Sequence, residues 1–146
     1  MSPNFTVKIN IASDHAGYEL KSKLIESLAE YDFQDFGTDS SDSVDYPDFA
    51  HKLCKEHIKD PNSRSILICG SGIGMSIVAN RYKEIRAALA MNPEIAALSR
   101  KHNDSNMLVL AARFISVEEA LEITKTWLNT DFEAGRHQKR LDKINL

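Results

Sequence analysis

The sequence predicts an α/β fold with a parallel sheet between two layers of helices, and three observations support this. Short apolar runs alternate along the chain with stretches that carry apolar residues at helical spacing. The runs at 66–69 and 107–111 are continuously apolar, which is typical of strands covered on both faces. Alternating glycines lie between the first of these runs and a helix-like stretch. We therefore expect a three-layer Rossmann-like sandwich of five parallel strands in the order 2-1-3-4-5. A helical tail should close this single domain of residues 1–146.

The first half of the chain supplies three of the strands and two of the helices. Residues 7–12 are predicted as a strand with one polar face, and Asp14 can cap the helix that follows. Residues 33–36 form a weak second strand, and a polar loop comes after it. Pro47 suits the first turn of the next helix. The apolar run at 66–69 is the third strand.

The second half alternates helix and strand and ends in a polar, partly basic tail. Capping residues mark the helix starts, and short apolar runs mark the strands. The elements are a helix after the glycines to about Arg81, a strand at 86–90, a helix opened by Asn92 and Pro93, a strand at 107–111 and a helix opened by the capping box of Ser116 and Glu119.

Composition and charge argue against several classes of function. The formal net charge of -3 disfavours binding of nucleic acid. No stretch approaches the roughly 20 apolar residues of a membrane span, and residues 1–6 lack the pattern of a secretory signal. Cys54 and Cys69 form neither a CxxC motif nor a zinc-binding spacing. We therefore expect a cytoplasmic protein with reduced thiols and no membrane partner.

Three loops are the predicted place for a ligand, because such sheets bind ligands beyond the carboxyl ends of their strands. Residues 14–17 follow the first strand, residues 70–76 follow the third, and Arg113 follows the fifth. Asp14 can serve merely as a helix cap, whereas His15 beside it is placed to donate a hydrogen bond to an anion.

The glycine cluster is the strongest signal. Gly70, Gly72 and Gly74 alternate at a strand-to-helix turn, where backbone amides form a natural anion site. The spacing differs from the dinucleotide fingerprint, and no Lys-Ser or Lys-Thr pair follows as in a Walker A loop. A cysteine phosphatase would have arginine where Met75 stands. The cluster is therefore either an anion cradle or a tight turn without a ligand.

Cys69 and His102 are the candidates for proton transfer. The start of a helix would stabilise a thiolate at Cys69, although a free cysteine is also common as a small buried hydrophobe. We interpret Cys54, on an apolar helix stripe, as such a core residue. His102 and Asn103 end a helix, so His102 either transfers protons or caps that helix.

Arg136 and Arg140 are four residues apart and share one face of a helix in the tail. Two guanidinium groups on one face can bind a phosphate, but the same pattern is also typical of a solvated helix. His137 and Lys139 fall on other faces, and we expect them on the surface.

Taken together, five segments resemble the B-type ribose-5-phosphate isomerases. Their order and spacing match over nearly the whole chain, and the wider family includes galactose-6-phosphate isomerase subunits and enzymes that act on allose 6-phosphate. The segments are residues 12–17, 38–47, 68–76, 99–106 and 135–140.

The resemblance implies an aldose–ketose isomerase of the non-oxidative pentose phosphate pathway. It would interconvert ribose 5-phosphate and ribulose 5-phosphate by ring opening and proton transfer through an enediolate. Cys69 would be the base, in the branch of the family that uses cysteine rather than glutamate. Ser71 would orient the thiol, and His102 would assist ring opening.

The resemblance also implies how the substrate is bound. Asp14 and Asn103 would bind sugar hydroxyls, and Tyr46 would lie against the ring. The remaining substrate-binding groups would be the backbone amides of Gly70, Ser71, Gly72, Ile73 and Gly74 at the enediolate and the side chains of His15, Arg113, Arg136 and Arg140 at the phosphate. The family implies a homodimer, with tetramers left open, whose sites are completed by the second subunit. It implies no metal or organic cofactor.

Two alternatives stay open at the level of sequence. A hexose 6-phosphate of the allose or galactose type would undergo the same chemistry in a roomier pocket. A non-catalytic module that binds sugar phosphates or nucleotides would keep the glycines and arginines but would need neither Cys69 nor His102.

Overall fold

Five parallel strands form the sheet of the computed structural model, which describes residues 7–145. The predicted α/β class and parallel sheet are confirmed. Residues 1–6, for which the sequence analysis expects no secretory signal, and Leu146 lie outside the described residues. The strands are β1 (Lys8–Ser13), β2 (Asp32–Asp35), β3 (Arg64–Cys69), β4 (Ala87–Leu89) and β5 (Met107–Ala111).

The observed strand order is β2-β1-β3-β5-β4, so the last two strands exchange places relative to the predicted order. Burial explains the difference. All five residues of β5 are buried, whereas the three residues of β4 are only partly buried. A continuously apolar strand is suited to the centre of a sheet, and a short one to its edge.

Six helices within residues 7–145 cover the sheet or form the tail: α1 (Tyr18–Ser27), α2 (Tyr46–Lys59), α3 (Ile73–Ala79), α4 (Pro93–Asn103), α5 (Val117–Leu128) and α6 (Arg136–Leu141). The Asn92 side chain caps α4, and Ser116 and Glu119 form the predicted capping box of α5. Asp14 does not cap α1 directly, because Gly17 occupies the N-cap position. None of the helices in the described part of the chain has the length and apolar content needed to cross a membrane.

The strands bury alternate side chains in two core clusters, one on each face of the sheet. In β3, Ile66 and Ile68 belong to the cluster that includes residues of α1 and α5. Leu67 and Cys69 belong to the opposite cluster, which includes residues of α2 and α3. The connection after β1 runs to the edge strand β2, whereas the connection after β3 runs to the other half of the sheet. The two connections therefore leave these neighbouring strands in opposite directions. Their carboxyl ends are the place where such folds bind ligands.

Candidate active site

A cavity of about 660 Å³ opens where the loops after β1, β3 and β5 meet, and we call it the Cys69 cavity. The three loops that the sequence singled out therefore contribute to one site. The predicted site residues that line the cavity are Asp14, His15, Tyr46, Cys69, Gly70, Ser71, Ile73, Gly74 and Arg113.

The turn after β1 is pressed against β3. A Cβ atom on Gly17 would lie 2.6 Å from the carbonyl oxygen of Ile68, so only glycine fits there without a shift. The amide of Asp14 donates to the same carbonyl oxygen at 3.2 Å. Oδ1 of Asp14 accepts a hydrogen bond from the Gly17 amide at 3.0 Å, which fixes the buried carboxylate at the cavity wall.

His15 is held by the loop that precedes α2. The backbone amide of Val44 donates to Nδ1 of His15 at 3.2 Å. Nδ1 must therefore lack a proton, and in the neutral imidazole the proton is assigned to Nε2. This tautomer leaves Nε2–H free to donate to an anion, the role predicted for His15 from its position after β1.

The glycines after β3 admit two larger side chains to the wall of the cavity. A Cβ atom on Gly74 would lie 2.5 Å from Cε1 of Tyr46, and one on Gly70 would lie 3.1 Å from Nη1 of Arg113. Gly72, at the N-cap of α3, has a φ of 76° that other residues rarely adopt. The loop sequence is thus explained by the close approach of an aromatic ring and a guanidinium group.

Cys69 and Cys54 lie in the same core cluster, and both are free thiols. Cys54 is fully buried, and burial raises the pKa of its thiol to about 12, so it remains protonated. This supports its interpretation as a core residue. Cys69 is 5% exposed and lines the cavity at the end of β3. Beside it, the Ser71 hydroxyl accepts a hydrogen bond from the Ile73 amide at 3.2 Å, and its own proton stays available to another acceptor.

Five predicted site residues of the described chain lie outside the walls of the Cys69 cavity. One of them, Gly72, is still part of the glycine loop, at the N-cap of α3. His102 and Asn103 line a second cavity of about 670 Å³ beside β4, which we call the His102 cavity. Arg136 and Arg140 are exposed on α6, which packs against α4. One chain therefore brings together the candidate base and part of the anion site, but not the candidate ring-opening residue.

His137 was expected on the surface, and this expectation is wrong. Its side chain is buried and stacks on His102, with ring centroids 4.4 Å apart and an angle of 19° between the planes. Nε2 of His137 lies 3.7 Å from Oε1 of Glu133. Burial, followed by the nearby His102 and Arg136 side chains, lowers the pKa of His137. The two residues before α6 have positive φ angles, and the turn that they make brings the first turn of α6 against α4. Gly135 was the feature of the sequence that could have indicated this turn.

A family model described as "Ribose/Galactose Isomerase" matches residues 9–144 of the chain. The chain belongs to the ribose/galactose isomerase family. Ribose-5-phosphate isomerase B of Escherichia coli (strain K12) is 40% identical over 139 residues, which cover 94% of this chain and 93% of that protein. The family thus agrees with the resemblance inferred from the five sequence segments.

Solved structures of family members have the same fold. A ribose 5-phosphate isomerase from Thermotoga maritima superposes with a TM-score of 0.93 at 48% identity, covering 96% of this chain and 98% of that one. Ribose-5-phosphate isomerase B from Mycoplasma genitalium, solved with bound ribulose-5-phosphate, gives a TM-score of 0.91 at 39% identity. That match covers 97% of this chain and 95% of the other.

Two residues at the rim of the Cys69 cavity were missed from the sequence. Ile77 and Phe114 line it and are 54% and 67% exposed. Ile77 follows Ile73 by one helical turn, so the two share a face of α3. Phe114 stands directly after Arg113, in a turn where a large apolar side chain is unexpected. Exposed apolar groups beside a cavity are typical of a surface that another molecule covers.

Proposed function

We propose that this member of the family is a ribose-5-phosphate isomerase that moves a proton between C1 and C2 of a pentose 5-phosphate. The observation that carries the proposal is the convergence of Cys69, the glycine loop, His15 and Arg113 on one cavity at the carboxyl ends of the central strands. These groups provide a base, a row of backbone amides and two anion-binding side chains. The relatives named above, one of them with ribulose-5-phosphate bound, favour this substrate.

Cys69 is proposed as the base. A thiolate is a stronger base than a carboxylate, which suits removal of a proton from carbon next to a carbonyl group. The thiol lies at the wall of the cavity while its neighbours exclude bulk water, because it is only 5% exposed. Ser71, two residues further on, is proposed to orient the thiol; its oxygen accepts a hydrogen bond from the Ile73 amide.

The glycine loop is proposed to stabilise the enediolate. Proton removal leaves negative charge on the former carbonyl oxygen, and fixed amides directed at that oxygen lower the energy of the transition state. The amides of residues 70–74 are held in place by β3 on one side and α3 on the other. Asp14 would bind a sugar hydroxyl, and the Tyr46 ring on Gly74 would pack against the sugar.

The phosphate is proposed to bind at His15 and Arg113. Nε2–H of His15 is available to donate, because Nδ1 accepts from Val44. The Arg113 guanidinium packs on Gly70, close to the base. Binding energy from a phosphate that takes no part in bond making can hold the sugar at the base and so accelerate the reaction.

We further propose a homodimer in which a second copy of the chain supplies His102, Asn103, Arg136 and Arg140 to the Cys69 cavity. These residues lie apart from the cavity of their own chain, yet they are the groups that ring opening and phosphate binding require. A two-fold axis would place the His102 cavity of one copy against the Cys69 cavity of the other and create two equal sites. This contact would cover the exposed apolar side chains at both cavities. They are Ile73, Ile77 and Phe114 at the Cys69 cavity, and Ile95, Leu98 and Ile144 at the His102 cavity.

Cys69→Ala tests the assignment of the base. We expect it to lower kcat for ribose 5-phosphate by about 10²–10⁴-fold, the usual contribution of a positioned base, while substrate binding changes little. A coupled assay for ribulose 5-phosphate gives the rate, and calorimetry with ribose 5-phosphate gives the affinity. Cys54→Ala is the matched control, because this thiol is buried away from the cavity. Undiminished activity of Cys69→Ala would refute the assignment.

A hexose 6-phosphate is the second candidate substrate, because the family description also covers galactose isomerases. Allose 6-phosphate and galactose 6-phosphate assayed in parallel distinguish the two functions. We expect the largest kcat/KM for ribose 5-phosphate, and a larger value for either hexose phosphate would reassign the substrate but keep the chemistry.

A further inference from the structure

Three side chains that can bind a metal ion meet where α4 packs against the segment leading into α6. They are His102 at the end of α4, Glu133 in the connection and His137 in the first turn of α6. Each offers one ligand atom, and these atoms lie within 4.8 Å of one another. Two stacked imidazoles can be explained by packing alone. The carboxylate beside them is the feature that indicates a metal site.

We propose that His102, Glu133 and His137 form a binding site for a divalent transition-metal ion such as Zn²⁺, and that the bound ion inhibits the isomerase by occupying His102. The metal site itself depends only on these three side chains. Its inhibitory effect rests on the proposed function, in which His102 assists ring opening.

The donor set matches the chemistry of Zn²⁺. Two histidines and one glutamate are a set found in zinc sites that keep a fourth position open for water or another ligand. Ligand atoms about 2.1 Å from a tetrahedral Zn²⁺ are about 3.4 Å from each other. Nε2 of His137 and Oε1 of Glu133, at 3.7 Å, are already near this spacing. The Glu133 side chain is 53% exposed, so it can approach an ion that enters from solvent. The two stacked imidazoles must rotate out of their nearly parallel arrangement for both ring nitrogens to point at the ion.

The backbone holds the three residues together without a metal. The Glu133 amide donates to the carbonyl oxygen of Lys101 at 3.1 Å, which fixes the connection to the last turn of α4. The His137 amide donates to the carbonyl oxygen of Ala134 at 3.0 Å. Ala134 and Gly135 have φ angles of 57° and 55°, and the turn that they make returns His137 to Glu133. Little backbone conformational entropy therefore opposes formation of the site.

The surrounding charge sets the expected affinity. Glu133 brings one negative charge, whereas Arg136 and Arg140 lie near enough to influence His137. Two guanidinium groups repel a cation, so we expect a dissociation constant in the micromolar rather than the nanomolar range.

Binding is tested in Cys69→Ala, so that the active-site thiol cannot bind the ion. Calorimetry with Zn²⁺ should give one site per chain, and Co²⁺ should give visible absorption bands of nitrogen and oxygen ligation. Adding His137→Gln or Glu133→Gln should weaken Zn²⁺ binding by about tenfold or more, the least that loss of a ligand should cost. His51→Gln is the control, because His51 is an exposed imidazole on α2 that pairs with Tyr82. Equal binding by all variants, or no binding, would overturn the site.

Inhibition is tested separately with Cys69 intact. The Zn²⁺ concentration that halves the rate on ribose 5-phosphate should rise by about tenfold in Glu133→Gln relative to the unaltered protein, each measured against its own uninhibited rate. An equal concentration in both proteins would assign inhibition to the thiol and overturn this part of the proposal. Zn²⁺ binding without inhibition would also overturn the proposed inhibition. It would contradict the ring-opening role of His102 and leave the metal site intact.

Discussion

Each glycine of the loop after β3 has a different neighbour, and the neighbour decides what a substitution would do. A Cβ atom at residue 70 would meet the end of the flexible Arg113 side chain. At residue 72 it would lie 2.4 Å from Cδ1 of Leu89, and the φ of 76° would add backbone strain. At residue 74 it would meet the rigid ring of Tyr46 at 2.5 Å. The third position therefore couples the loop to one wall of the substrate cavity.

Gly74→Ala should displace the Tyr46 ring and lower kcat/KM for ribose 5-phosphate by about tenfold or more, since small misplacements in a site are costly. The melting temperature should change little, because the preference of Ala for the helix offsets the cost of moving the partly exposed Tyr46 ring. In a Tyr46→Ala background the added methyl group has space, so the further loss of kcat/KM should shrink. An equal loss in both backgrounds would show that the contact with Tyr46 is not the cause.

At the scale of elements, buried polar side chains link helices to the strands beside them. Nζ of Lys21 is 2.6 Å from Oδ1 of Asp35 and also donates to the carbonyl oxygen of Thr38, so α1 is tied to β2 and the loop after it. Nδ1 of His57 in α2 is 2.7 Å from Oγ of Ser65 in β3. The two links hold the elements on either side of β1, the strand that presents Asp14 and His15.

Asp35→Asn should cost more stability than Lys21→Met, although both break the same ion pair. The first leaves a charged amine that is 1% exposed without its carboxylate, for which we expect a loss of about 1–3 kcal/mol. The second replaces the amine by an apolar side chain and removes the buried charge. Urea unfolding measures both, with Asp32→Asn at the exposed start of β2 as control. A larger loss for Lys21→Met would contradict this account.

His57 should make stability depend on pH. Burial lowers the pKa of its imidazole, so between that value and about 6.5 the unfolded chain binds more protons than the folded one. Stability is then present above about pH 6.5 and falls as the pH decreases towards 5. The stability advantage of the unaltered protein over His57→Gln should therefore be smaller at pH 5 than at pH 7. An advantage that grows on acidification would refute the assignment.

At the scale of the whole molecule, the sequence predicted those features that depend only on neighbouring residues, such as helix starts and tight turns. The capping residues Asn92, Ser116 and Glu119 and the glycine loop carry their information in a few neighbouring positions. The order of the last two strands and the burial of His137 depend on packing between distant segments, which spacing along the chain does not encode. Ile77 and Phe114 were missed for a related reason, because an exposed apolar residue gains meaning only beside the cavity that it borders.

The division of the predicted site between two cavities is the main consequence at this scale. Cys69 and His15 line one cavity, whereas His102 and Asn103 line the other. The proposed base and the proposed ring-opening residue therefore line different cavities of one chain, and the proposed second copy would join them. In the proposed homodimer, an isomerase site would be assembled from the Cys69 cavity of one subunit and the end of α4 of the other.

Subunit complementation tests this claim most directly. Cys69→Ala and His102→Asn should each be nearly inactive on ribose 5-phosphate. If subunits exchange at random, about half of the dimers are heterodimers. In each heterodimer, one of the two sites has both Cys69 and His102 intact. The mixture should therefore recover about a quarter of the original activity. Each variant incubated alone controls for residual activity, and mass measurement of the mixed dimers verifies exchange. A mixture that exchanges subunits yet stays as inactive as its components would contradict the shared site.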